Sequence, residues 1–158
     1  MRIGLFGGTF NPIHRCHLTI AAQIRERLSL DQILFIPTGE PPHKPHDNLA
    51  PASHRLEMVR LAIAADPAFA VSDIEVRRAA KSYSIDTVRA LRDHHGPDTD
   101  LSFIVGLDAF LEFPSWRQAP DLLRLCHFIV VSRTGASFAP LADRPPLPAI
   151  ARQALESL

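Results

Sequence analysis

Two histidines three residues apart, His14 and His17, follow a glycine pair, Gly7-Gly8, and are the side chains best placed to do chemistry. The stretch reads Gly7-Gly8-Thr9-Phe10-Asn11-Pro12-Ile13-His14-Arg15-Cys16-His17. It lies where a short apolar run, Ile3 to Phe6, gives way to a helical pattern. Glycines lack Cβ atoms, so a phosphate can approach their backbone closely. A helix opening near Arg15 turns free amide N–H groups and a positive dipole end toward that phosphate. Residues three apart share a helix face, so both imidazoles can donate to one phosphate group. The plainer reading is a turn followed by two surface histidines. A His-x-x-His pair also offers two nitrogens to zinc, but zinc needs further ligands, and Cys16 faces elsewhere on a helix. The strand–turn–helix setting is what favours phosphate.

The elements that must position this stretch can be read from apolar periodicity. Ile3 to Phe6 and Ile33 to Ile36 are short continuous apolar runs, expected of buried parallel strands. Between them Leu18, Ala21, Ala22, Ile24 and Leu28 repeat at helical spacing within His14 to Leu28. Pro37 to Pro51 reads as a loop. Ser53 is the expected N-cap of a helix carrying Leu56, Val59 and Ile63. A third strand is expected over Phe69 to Ile74, and a helix over Ser84 to Leu91. Leu101 to Val105 and Phe128 to Val131 complete five strands, with short helices over Asp108 to Phe113 and Pro120 to Leu125. Strands alternating with helices predict an α/β fold: a Rossmann-like doubly wound parallel sheet of about five strands with helices on both faces. Ligands bind at the carboxyl ends of strands in such sheets.

Composition agrees with one domain over 1–158. The chain has 158 residues, 46% hydrophobic and 22% charged, and a formal net charge of zero. Without net positive charge nothing draws in a polyanion, so no nucleic-acid partner is expected. Two cysteines, Cys16 and Cys126, are too few for a disulfide framework and suit a reducing cytoplasm. No stretch is long and apolar enough to cross a bilayer. Cys126 reads as core, and His94 and His95 as a helix end ahead of Gly96-Pro97. Residues 136–148, holding Pro140, Pro145, Pro146 and Pro148, are expected to be irregular, with a last helix over Ala149 to Leu158.

The eleven-residue stretch resembles the Gly-Gly-Thr-Phe-Asp-Pro-Ile-His-x-Gly-His signature of the nucleotidyltransferase superfamily. Further segments are similar to bacterial nicotinate-nucleotide adenylyltransferases. They are Pro41-Pro42-His43-Lys44, Ser82-Tyr83-Ser84 with Asp86-Thr87, Phe103 to Asp108, Trp116, and Val130-Val131-Ser132-Arg133. Asn11 and Cys16 depart from the signature, standing where it has aspartate and glycine.

The resemblance implies transfer of the adenylyl group of ATP to nicotinate mononucleotide, with Mg²⁺ carried on the ATP phosphates and no protein metal site. It implies catalytic roles for His14 and His17, and an ATP site of Gly7, Gly8, Thr9, Phe10, His14, His17, Gly106 and Asp108. It implies a mononucleotide site of Lys44, Tyr83, Ser84, Trp116 and Arg133, in which Trp116 stacks on the pyridine ring. Residue by residue, other readings stay open. Asp108 suits a helix N-cap, Trp116 suits core packing, Tyr83-Ser84 a helix start, and Lys44 and Arg133 solvated cations. Cys16, at a helix N-terminus among cationic groups, is expected to be a reactive thiol.

The family also carries an Ile-Ser-Ser-Thr-x-Ile-Arg segment further on, which this sequence lacks. The expectation is a C-terminally truncated domain with weakened ATP binding. Two other readings accompany the first: a nucleotidyltransferase acting on nicotinamide mononucleotide or pantetheine phosphate, and a catalytically impaired nucleotide-binding domain. A homo-oligomer is left open.

Overall fold

A computed structural model describes residues 1–39 and 48–132. Its strands are β1 (Arg2–Gly8), β2 (Gln32–Pro37), β3 (Phe69–Val71), β4 (Asp100–Gly106) and β5 (His127–Val131). Its helices are α1 (Arg15–Arg27), α2 (Ala52–Ile63), α3 (Ser84–His95), α4 (Leu107–Leu111) and α5 (Ala119–Leu125), with a 3-10 turn over Phe113–Ser115. The strands form one sheet in the order β3-β2-β1-β4-β5, with every pairing parallel. The chain winds outward from β1 to β3, then crosses back to lay β4 beside β1. That reversal puts the switch point between β1 and β4, where Phe6 pairs with Ile104.

Side chains alternate across the sheet because the strand period is two. Ile3 and Leu5 of β1, Leu34 and Ile36 of β2, Leu101, Phe103 and Val105 of β4, and Phe128 and Val130 of β5 point to one face. There they pack on Ile85, Val88 and Leu91 of α3 and Leu122 of α5. Ile33, Phe35, Ile104 and Ile129 point to the other face, against Ala21 and Ile24 of α1 and Val59 and Ile63 of α2. Both sheet faces are covered, which is why these strands read as continuous apolar runs and not as alternation. Burying each such Ile or Leu contributes about 1.5–3 kcal/mol.

Several boundaries differ from the sequence expectation. The amides of His54 and Arg55 donate to Pro51 O at 2.9 and 3.0 Å, so α2 is capped by Pro51, and Ser53 lies inside the first turn. β3 stops at Val71 instead of Ile74. The Ile74 amide turns back to Ser72 Oγ at 3.3 Å, and Arg77 N–H to Asp73 O at 2.9 Å, which curls the chain out of the sheet. α3 runs on to His95 and ends at Gly96, whose φ of 85° needs a glycine. α4 begins one residue earlier and ends two residues sooner than the helix expected from Asp108 to Phe113. The segment 136–148 expected to be irregular, the helix expected over 149–158, Lys44 and Arg133 lie outside the described residues.

Candidate active site

The turn from β1 into α1 is shaped from beneath. Phe10 has φ 48°, in the left-handed region, and its ring is only 3% exposed. Its ring centroid lies 5.7 Å from Phe6 and 5.8 Å from Phe35. Burial of this ring holds the strained backbone in place. Phe10 therefore belongs to the site through its main chain, and its side chain belongs to the core. The Asn11-Pro12 peptide is cis. α1 then opens at Arg15, with His14 as its extended N-cap (φ −143°, ψ 176°). Cys16 has ordinary helical geometry in the first turn and is exposed, so its side chain fits where the signature has glycine.

The two histidines are brought together. Their ring centroids are 3.9 Å apart, tilted by 31°. The His14 backbone N–H donates to His17 Nδ1 at 3.1 Å. A nitrogen that accepts carries no proton. His17 is thus held as the neutral tautomer with its proton on Nε2, the nitrogen free to face a ligand. Its ring stands edge-on to Phe10 at 5.1 Å and near Phe6 at 6.1 Å. Burial among these rings, then the charge of His14, lowers the His17 pKa below 6.5. The pair thereby offers a fixed neutral N–H donor on His17 and an exposed imidazole on His14.

The neighbouring strand supplies the rest. Gly106 closes β4 and caps α4 with extended backbone (φ −68°, ψ 151°), and it is exposed. Asp108 is not the cap. It lies in the first turn, exposed, where its charge suits the positive end of the helix. Tyr83 caps α3, and Ser84 is its first residue. The Arg117 guanidinium sits 4.7 Å over the Tyr83 ring. Trp116 is half-buried, its ring centroid 6.0 Å from Phe103 and 5.4 Å from Phe113. Its core-packing role is therefore real, and an open part of the ring remains. Phe103 links the two halves, because a Cβ built on Gly7 would lie 4.0 Å from Phe103 Cζ. Gly7, Gly8, Thr9, His14, His17, Gly106 and Asp108 lie at or after the carboxyl ends of β1 and β4, and Trp116 adjoins through Phe103, while Tyr83 packs on the same core.

Two supports hold this turn: Asn11 within it, whose size and hydrogen bonding suit that part from sequence, and Arg55, which the sequence did not mark out. Asn11 bonds across the chain: its Nδ2 donates to Asn48 O and its Oδ1 accepts from Ala50 N–H, both at 3.0 Å. An aspartate, as in the family signature, could only accept. Arg55, on α2, is 1% exposed and bonds to four main-chain carbonyls. In sequence it is one of fifteen arginines, and nothing marks it out. Among the described residues no three His, Cys, Asp or Glu side chains gather as a metal cage. No described helix is long and apolar enough to cross a membrane.

A doubly wound parallel sheet, with glycines and paired histidines at its switch point, defines a nucleotide-binding protein of the phosphate-gripping kind. The chain belongs to the cytidylyltransferase-like family, whose sequence profile matches residues 5–151. It is 50% identical over 147 residues to a probable nicotinate-nucleotide adenylyltransferase of Geobacter metallireducens, covering 93% of this chain and 68% of that one. It is 54% identical over 135 residues to the protein of the same name in Pelobacter propionicus, covering 85% of this chain and 62% of that one. The fold is similar to that of Plasmodium falciparum nicotinic acid mononucleotide adenylyltransferase complexed with NaAD. There the TM-score is 0.75 and the identity 20%, covering 91% of this chain and 71% of the other. The chain thus spans about two thirds of the length of these relatives.

Proposed function

We propose that this protein transfers the adenylyl group of ATP to nicotinate mononucleotide, in NAD biosynthesis in the cytoplasm, yielding nicotinate adenine dinucleotide and pyrophosphate. The observation that carries the reading is the paired His14 and His17 at the N-terminus of α1, beside the glycine turn at the β1–β4 switch point. The relatives' shared name supports the acceptor.

The reaction needs no protein nucleophile. A phosphate oxygen of the mononucleotide attacks the α-phosphorus of ATP. The new P–O bond forms as the bond to the β-phosphate bridging oxygen breaks, and pyrophosphate departs with that electron pair. The acceptor phosphate is already anionic near neutral pH, so the protein's task is alignment and charge stabilisation. The amides around Gly7 to Thr9 and the first turn of α1 line the phosphates. His17 Nε2–H donates a fixed hydrogen bond, and His14 adds a second donor that is cationic when protonated. Mg²⁺ enters with the triphosphate as part of the substrate. Gly106 and Asp108 bound the adenosine side. Trp116 offers the pyridine ring a flat surface, and the amides opening α3 at Tyr83 and Ser84 meet its carboxylate. Lys44 and Arg133 complete the mononucleotide's phosphate contacts.

The test is pyrophosphate release from ATP and Mg²⁺ with nicotinate mononucleotide, nicotinamide mononucleotide and phosphopantetheine in turn. Release with the nicotinate form, abolished by His17→Ala, is the expected result. Release only with another acceptor reassigns the substrate, and none with any acceptor from folded protein overturns the reading.

A further inference from the structure

Arg55 is a buried cation with no carboxylate paired to it among the described residues, and burial lowers its pKa. It donates instead to main-chain carbonyls. Nε reaches Ala50 O at 2.8 Å, Nη1 reaches Thr9 O at 2.8 Å and Thr38 O at 2.7 Å, and Nη2 reaches Gly39 O at 2.8 Å. Three chain segments meet on one rigid plane: the β1–α1 turn, the exit of β2, and the entry to α2. Burying a charge is costly. An apolar residue would suffice if α2 only had to rest on the sheet, as Val59 and Ile63 do on the same helix. A guanidinium differs in presenting donors in fixed, divergent directions. It therefore sets the relative positions of the carbonyls it touches.

Two neighbouring contacts adjoin this tie. Asn11 grips Asn48 O and Ala50 N–H from the signature turn. Gly39 lies so close to the Glu75 carbonyl that an added Cβ would meet Glu75 O at 2.5 Å. Thr9 sits between the glycine pair and the histidines, so what fixes Thr9 fixes the turn that carries both.

We infer that Arg55 is a positioning residue for the adenylyl-donor site: its four hydrogen bonds to main-chain carbonyls preset the β1–α1 turn. Its consequence for turnover rests on the function proposed above, and its hold on the turn does not. Triphosphate then meets a loop already in place.

The test compares wild type, Arg55→Lys and Arg55→Ala. Backbone amide exchange, followed by mass spectrometry, reads residues 7–12 against β4 as an internal control. Lysine keeps the charge and loses the fork, so exchange over 7–12 is expected to rise about tenfold or more, with β4 unchanged. In pyrophosphate release both variants raise the KM for ATP more than they lower kcat. Guanidinium ion at sub-denaturing concentration restores part of the Arg55→Ala loss, and methylammonium does not. Unchanged protection at 7–12, equal loss of protection in β4, global unfolding of the lysine variant, or rescue by neither ion overturns the inference. If wild type releases no pyrophosphate from any acceptor, the functional reading fails instead. The exchange pattern and a direct ATP titration then decide the role of Arg55.

Discussion

The His14 backbone N–H donates to His17 Nδ1 at 3.1 Å, and this one bond assigns different work to two residues that look alike in sequence. It fixes the His17 ring and leaves only Nε2–H to face a ligand. Asparagine can imitate the accepting nitrogen but does not reach as far as Nε2. His17→Asn is therefore expected to keep the cap and the melting temperature while turnover falls about 10²- to 10³-fold, the usual cost of one preorganised donor. His17→Ala loses both. Turnover measured beside thermal melting checks this, and an asparagine variant that melts as early as the alanine one denies the capping role.

The same bond makes a pH prediction. The His17 pKa is lowered in the folded state, by burial first and by His14 second. Above the unfolded value of 6.5 the ring is neutral in both states, and its contribution is fully present. As pH falls below 6.5 the unfolded chain takes up the proton first, so stability is lost on the way down through the folded pKa. Denaturant midpoints across this range should fall more steeply for wild type than for His17→Asn. Parallel curves would remove His17 from the linkage.

Much of this was legible in the chain. Five apolar runs at βα spacing, with Gly7-Gly8 and the histidine pair after the first, were enough to give the parallel sheet and to put that turn at its switch point. What was not legible depended on contacts distant in sequence. Arg55 and Thr9 are 46 residues apart, and no periodicity announces that an arginine on a helix will turn inward to bind carbonyls. Phe10 reads as part of a ligand motif because it sits inside one, yet its ring fills the core. Asp108 and Ser53 have the right type for caps, but Gly106 and Pro51 take those places because the backbone turns two residues earlier.

Glycine replacements separate fold from ligand. A Cβ on Gly106 would meet nothing within 4 Å, and one on Gly7 would only touch Ile36 O and Phe103 Cζ at 4.0 Å. Neither residue has positive φ. Gly7→Ala and Gly106→Ala should thus leave melting nearly unchanged while raising the KM for ATP, because only bound nucleotide would occupy that space. Gly39→Ala should do the reverse damage, destabilising the fold through its 2.5 Å approach to Glu75 O. Melting and ATP titration of the three variants decide it.

Glu75 is a half-buried carboxylate. Burial raises its pKa, opposed by the Thr87 hydroxyl, which donates to Oε1 at 2.8 Å, and by Arg78. Its contribution is present below the ordinary value of 4.5 and is lost as pH rises through the higher folded pKa. Glutamine keeps an acceptor for Thr87 and has no charge to desolvate. Glu75→Gln should melt at or above wild type near neutral pH, with the advantage fading in acid. A variant less stable than wild type at neutral pH would show that the Arg78 attraction outweighs burial.

The two thiols should part company under alkylation. Cys126 is buried, its pKa pushed up to about 12, and its Sγ lies 3.6 Å from Leu122 O, so it should stay unlabelled until the chain unfolds. Cys16 is exposed in the first turn of α1, next in sequence to His17, where an adduct would crowd the phosphates. One equivalent of iodoacetamide should therefore enter the native protein at Cys16, abolish pyrophosphate release, and be slowed by ATP with Mg²⁺. A Cys16→Ser protein should stay active and resist the reagent. Labelling at the same rate with and without ATP would place the nucleotide away from the start of α1, and with it the role given to His14 and His17.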